Sequence, residues 1–151
     1  MKKKIAILGA TGSIGSTTLD LIQNDEKNFK VILLTANTNY KKLLMLANNF
    51  NCTNLIIHNK NKYLEAIKKN KNKKLNIFNN TKDFLKKFEG RVDYTMSSIT
   101  GINGLEPTLD AIIFSKCIAI ANKESIICGW HLIERKLKKF NSERQLIAKK
   151  Y

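Results

Sequence analysis

The stretch from Ile7 to Asp20, ILGATGSIGSTTLD, sets Gly9, Gly12 and Gly15 at intervals of three between an apolar run and a segment with helical spacing. Glycines so placed let a chain turn sharply out of a strand and start a helix pressed closely against it. Lys4 to Leu8 reads as a short buried strand, and Ser13 to Asn24 as a helix with Ile14, Thr18, Leu21 and Ile22 toward an inner face. The rest of the chain repeats this alternation.

Phe29 to Thr35 predicts a second strand, and Tyr40 to Asn49 a second helix with Leu43, Leu44, Leu46 and Ala47 as its apolar positions. The first strand, first helix and second strand make a βαβ unit. Leu55 to Ile57 predicts a third strand, Tyr63 to Lys69 a short helix, Leu75 to Phe78 a weak strand, and Thr81 to Phe88 a helix capped by Thr81. Val92 to Ser97 follows as a strand, and Gly104 to Ser115 as a helix carrying Leu105, Leu109, Ile112 and Ile113, with Pro107 tolerated in its first turn. Cys117 to Ala121 is a continuous apolar strand, after which Asn122-Lys123-Glu124 opens the last helix. Such alternation implies an α/β fold: a doubly wound, mostly parallel, Rossmann-like sheet with helices on both faces and ligands at the C-terminal strand ends.

At 151 residues the chain suits one domain, expected over residues 1–140, and residues 141–151 read as an aberrant or disordered tail without an apolar strand. The formal charge of +15 is scattered among asparagines with no aromatic interleaving, which favours a solvated basic surface over a nucleic-acid interface. Cys52, Cys117 and Cys128 are odd in number and lack Cys-x-x-Cys spacing, so a reduced, cytoplasmic chain without a zinc site is expected. The opening MKKKIAILGA imitates a signal peptide, but its apolar stretch ends at Ala10, and no run approaches the ~18 residues of a membrane span.

A glycine turn behind a first strand lets backbone approach a pyrophosphate while helix N-terminal amides face its charge. The spacing here is Gly-x-x-Gly-x-x-Gly, not the usual Gly-x-Gly-x-x-Gly, so a turn that merely packs helix on strand is the competing account. Where NAD sites commonly place an acid for the ribose 2′-hydroxyl, this chain reads Thr35-Ala36-Asn37-Thr38-Asn39. The missing carboxylate, with Lys41 and Lys42 close by, leans toward NADP over NAD.

ILGATGSIGSTTLD, GINGLEPTLDAI and IAIANKESIICGWHLI together resemble the N-terminal, NADPH-binding domain of the 1-deoxy-D-xylulose 5-phosphate reductoisomerase family, from about Lys3 to about Leu137. The resemblance implies an enzyme that rearranges 1-deoxy-D-xylulose 5-phosphate and reduces the product to 2-C-methyl-D-erythritol 4-phosphate in isoprenoid biosynthesis. It also implies NADPH and a divalent metal, magnesium or manganese, as cofactors, and a homodimer. By the same resemblance Thr11, Gly12, Ser13 and Ile14 match the turn that holds the cofactor phosphates, and Asn37, Thr38 and Asn39 the adenosine 2′-phosphate loop. That loop is frequently Gly-Lys-Asn in the family, and only Asn39 keeps this form. Asn122 and Glu124 match cofactor-contacting positions, and Lys123 a lysine that reaches the sugar phosphate.

The family continues into an Asp-Ser-Glu-His motif whose acids bind the metal, then a substrate half, a lid and a helical domain. Here the chain reads NSERQLIAKKY after Phe140, and Asp93 and Asp110 form no metal cluster. A chain truncated by a frame change or premature stop near Asn141 is therefore expected, one that binds NADPH without turnover. Among other readings, a short-chain dehydrogenase would need Tyr-x-x-x-Lys, and Tyr40, Tyr63 and Tyr94 are followed four residues on by Leu44, Ile67 and Ser98. A non-catalytic nucleotide-binding module, an inert gene remnant and another reductase with this glycine spacing are the remaining alternatives. His58 and His131 are solitary and read as packing or surface residues, and Cys128 as a small buried residue on the last helix.

Overall fold

The structure, a computed structural model, describes residues 1–146. Its strands are β1 (Lys3–Leu8), β2 (Phe29–Ala36), β3 (Asn54–Ile57), β4 (Asn76–Phe78), β5 (Val92–Ser97), β6 (Ser115–Ile120) and β7 (Glu143–Leu146). The helices between them are α1 (Ser13–Gln23), α2 (Tyr40–Asn49), α3 (Lys60–Lys69), α4 (Thr81–Leu85), α5 (Leu105–Phe114) and α6 (Lys123–Phe140), with a 3-10 turn at Ile102–Gly104 before α5. The seven strands form one sheet in the order β4-β3-β2-β1-β5-β6-β7, and every neighbouring pair is parallel. The chain runs outward from β1 to one edge, then crosses back to β5 on the other side of β1.

Parallel strands are covered on both faces, and the core divides accordingly. Ile5, Ile7, Val31, Leu34, Leu55 and Ile57 pack with Leu19 and Ile22 of α1 and Leu43 and Leu46 of α2. On the opposite face Ala6, Leu8, Leu33, Ile56, Ile118 and Ile120 pack with Phe84, Ile112, Phe114 and Ile133. A shift of register between Ile5 and Ala6 pairs Ile5 with Val31 and Ala6 with Leu33. In the cluster with Ile112 and Ile133 the ring of Phe84 stacks on Phe88 at 4.9 Å between centroids and meets Phe114 edge-on at 5.4 Å.

The architecture is the one expected, and several local expectations need correction. On α1 the buried residues are Gly15, Leu19 and Ile22, whereas Leu21 is 66% exposed. Gly15 fixes that helix's rotation: a Cβ there would lie 2.4 Å from the Gly9 carbonyl oxygen and 2.7 Å from Ala10 Cα. Thr81 is the buried first residue of α4, and Asn80 caps it by accepting from the Asp83 amide at 2.9 Å. Cys128 is exposed, not buried.

The expected tail without a strand is corrected in part. Asn141 closes α6 in the left-handed conformation, φ 49°, and the Ser142 amide returns to the Leu137 carbonyl at 3.0 Å. The chain then lies along β6, pairing Cys117 with Glu143 and Ile120 with Leu146. An open parallel edge offers backbone partners whatever the side chains, so a polar stretch can complete the ladder. Residues 147–151 lie outside the described residues.

Candidate dinucleotide-binding cleft

Because β2 and β5 flank β1, the connections leaving β1 and β5 run to opposite sides of the sheet and part at its C-terminal edge. A cleft of about 540 Å³ opens there. Its walls come from the glycine turn (Gly9, Thr11, Gly12, Ser13, Ile14), the ends of β2 and β3 (Thr35, Ala36, Asn37, His58), and the segment after β5 (Ser98, Ile99, Thr100, Asn103, Glu106, Pro107).

The turn is held from behind by β2. Thr35 is 1% exposed, and its hydroxyl accepts from the Gly9 amide at 3.1 Å while its carbonyl accepts from the Ala10 amide at 2.9 Å. Gly9 takes φ +76°, and a Cβ on it would meet the Ser98 carbonyl at 3.1 Å. Gly12 differs from Gly9 and Gly15, since a Cβ there would touch only the Gly9 carbonyl, at an ordinary 3.5 Å. Among the described residues nothing in the packing requires Gly12 to be bare, and the space it leaves is on the cleft wall.

Gly12 is also the N-cap of α1, and among the described residues that helix start has no side-chain cap. Helices α2, α3, α4 and α6 are instead capped by Asn39, Asn59, Asn80 and Asn122. An uncapped helix start leaves backbone donors and the positive end of the macrodipole available to an anion. The first turn of α1 also holds no acidic residue.

Of the residues expected at a cofactor, Thr11, Gly12, Ser13, Ile14 and Asn37 come together on the cleft. Thr38 and Asn39 continue the β2–α2 loop beyond it, and the Asn39 side chain is engaged with the Lys42 amide at 3.2 Å. Asn122, Lys123 and Glu124 begin α6 at the C-terminal end of β6, outside the cleft's lining. Asn122 is buried and accepts from the Ser125 amide at 3.0 Å, while its amide group donates to the carbonyls of Ile99 and Gly101. It therefore shapes the cleft through the loop that carries Ile99.

Sequence reasoning missed the wall formed by Ser98, Ile99, Thr100 and His58. The Ser98 amide and hydroxyl both donate to the Leu8 carbonyl, at 3.0 Å and 2.6 Å, tying that wall to β1. His58 lines the cleft with its Nε2 buried and, among the described residues, unpartnered. Burial holds its imidazole below the ordinary range, against the opposing pull of Asp110 and Glu106. Among the described residues no three His, Cys, Asp or Glu side chains converge as a metal site requires, so no residue is assigned to the divalent metal. No helix of the described residues is long and apolar enough to cross a membrane.

A glycine turn at the end of the first strand, opening on the switch-point cleft of a parallel sheet, places the chain in the class of Rossmann-like dinucleotide-binding domains. Residues 5–129 match the family model described as 1-deoxy-D-xylulose 5-phosphate reductoisomerase, and the chain belongs to that family. The reductoisomerase of Pelagibacter ubique (strain HTCC1062) is 53% identical over 142 residues, covering 93% of this chain and 37% of that protein. The Zymomonas mobilis reductoisomerase in complex with NADPH superposes with a TM-score of 0.86 at 30% identity, over 98% of this chain and 39% of that one. A DOX-P reductoisomerase in complex with NADPH, fosmidomycin and magnesium gives 0.85 at 30% identity, over 96% and 36%. The chain thus spans less than two fifths of the length of these relatives.

Proposed function

We propose that this chain binds NADPH in the switch-point cleft, as the cofactor domain of a 1-deoxy-D-xylulose 5-phosphate reductoisomerase. The observation that carries the proposal is the bare, uncapped start of α1 at Gly12, on the wall of the cleft. There Thr11, Gly12, Ser13 and Ile14 receive the pyrophosphate on backbone amides, and Asn37, Thr38 and Asn39 border the adenosine ribose. Asn122 and Glu124 support the cofactor from the start of α6, Asn122 by fixing the Ile99 loop, and Lys123 meets the sugar phosphate. The structure of the Zymomonas mobilis relative with NADPH supports this assignment by likeness.

When bound, NADPH supplies a hydride; the chain's own residues bind and orient it and exclude water from one side of it. The rearrangement of 1-deoxy-D-xylulose 5-phosphate and its reduction to 2-C-methyl-D-erythritol 4-phosphate are proposed for the whole enzyme. Positioning the acceptor beside the hydride needs a substrate pocket as well as the cofactor cleft. Calorimetric titration of the 151-residue chain with NADPH and with NADH tests the proposal. Saturable one-to-one binding is expected, with NADPH preferred and no oxidation of NADPH when 1-deoxy-D-xylulose 5-phosphate is added. A folded chain that binds neither cofactor overturns the proposal and favours an inert domain.

A further inference from the structure

Lys42 lies in the first turn of α2, yet its ammonium reaches back to the glycine turn. It donates to the Thr11 carbonyl at 3.1 Å and to the Ser16 hydroxyl at 3.0 Å. Those bonds join two stretches of chain that sequence separates by 31 and 26 residues. The half-buried ammonium thereby stands between the turn and the β2–α2 loop. We propose that Lys42 is the cation that recognises the adenosine 2′-phosphate and so sets the preference for NADPH over NADH. This assignment rests on the cofactor proposal above.

An ammonium has three N–H donors, and two of them are spent on neutral oxygens of the turn. Among the described residues no carboxylate pairs with Lys42, so its charge is uncompensated by the chain. The third donor and the full charge remain for an outside anion.

The placement within α2 points the same way. A helix start favours acidic side chains, but the first turn of α2 contains Lys41 and Lys42 and no acid. Two cations at the positive end of a helix are unfavourable unless an anion is shared between them and the helix amides. The end of β2, which in such folds faces the adenosine ribose, reads Ala36-Asn37 without the carboxylate that would repel a phosphate. Asn39 is occupied in capping α2, and Thr38 has no charge, so the β2–α2 loop itself offers no cation. Lys41 is exposed, whereas Lys42 is anchored on the turn that would hold the same ligand's pyrophosphate.

Dissociation constants for NADPH and NADH, measured on the full chain and on Lys42→Met, Lys42→Arg and Lys41→Met, test the assignment. Loss of a charge-assisted hydrogen bond predicts that Lys42→Met weakens NADPH roughly 10- to 100-fold. NADH, lacking the phosphate, should weaken less than about threefold, as expected for a contact it does not make. Lys42→Arg should keep most of the preference, and Lys41→Met should change it little. Should Lys42→Met not fold by circular dichroism, Lys42→Gln decides by the same ratio. Equal loss of both cofactors in the Lys42 variant, or an equal effect from Lys41→Met, overturns the assignment while leaving the cleft as the cofactor site. A folded unmodified chain that binds neither cofactor overturns the cofactor proposal itself.

Discussion

Thr35 and Gly9 are joined by a hydrogen bond from the Gly9 amide to the Thr35 hydroxyl oxygen, 3.1 Å long and spanning 26 residues. Through it the second strand sets the shape of the turn that leaves the first. Thr35→Val keeps the side chain's volume but removes the acceptor, stranding a backbone donor at a part-buried site. A loss of about 1–3 kcal/mol in unfolding free energy is expected, read by urea denaturation, with weaker NADPH binding in the folded fraction.

Gly12 and Gly15 should separate binding from stability. An alanine Cβ at Gly15 would lie 2.4 Å from the Gly9 carbonyl oxygen, so Gly15→Ala must displace α1 or the turn and is expected to destabilise strongly. At Gly12 the same Cβ meets one atom at 3.5 Å. Gly12→Ala should therefore cost no more than about 1 kcal/mol, the ordinary cost of an N-cap change, and yet weaken NADPH by crowding the phosphates. Equal binding losses at equal stability losses for the two variants would contradict this division.

His58 makes stability depend on mild acid. Burial penalises its protonated form in the folded chain, so its folded pKa lies below its ordinary 6.5 and the unfolded chain takes up the proton first. Stability contributed by the neutral imidazole is full above the ordinary value and falls as the pH drops from there toward the folded one. His58→Asn should flatten that part of the profile, measured as urea midpoints between pH 7.5 and 5. An unchanged slope in the variant would show that another group is responsible.

The cysteines should differ sharply in reactivity. Burial pushes the Cys52 thiol up to about 12, whereas Cys128 is exposed on α6. A thiol reagent at pH 8 should modify Cys128 within minutes and leave Cys52 untouched until the chain is unfolded. Peptide mapping after timed quenching reads the order.

The alternation of buried apolar strands with amphipathic helices was legible in the sequence because both faces of a parallel sheet are covered, which makes its strands apolar throughout. Tyr40–Asn49 emerged with its bounds intact for a related reason: Asn39 caps its start, and its apolar residues recur at helical spacing. Leu21 was misplaced because the rotation of α1 is set by what Gly15 must avoid, and an apolar count cannot register a missing side chain. Glu143–Leu146 was missed because an edge strand is recruited by its neighbour's backbone, not by its own pattern. Half of the candidate site was readable in the glycine turn. The other wall, Ser98 to Thr100, was hidden because only strand order brings β5 beside β1, across some 90 residues of chain.

The helix start at Gly12 has a consequence for the chain as a folded body. Helices closed by asparagine carry their own capping contribution at every ligand concentration. With NADPH bound as proposed, the α1 start would draw its equivalent from the cofactor's phosphates, so folding and occupancy would become linked equilibria. At a hundred times its dissociation constant, a ligand bound only by the folded chain adds about 2.7 kcal/mol to the unfolding free energy. On that proposal the thermal midpoint of this domain should be a property of its solution as much as of its sequence, and should rise with the NADPH supplied.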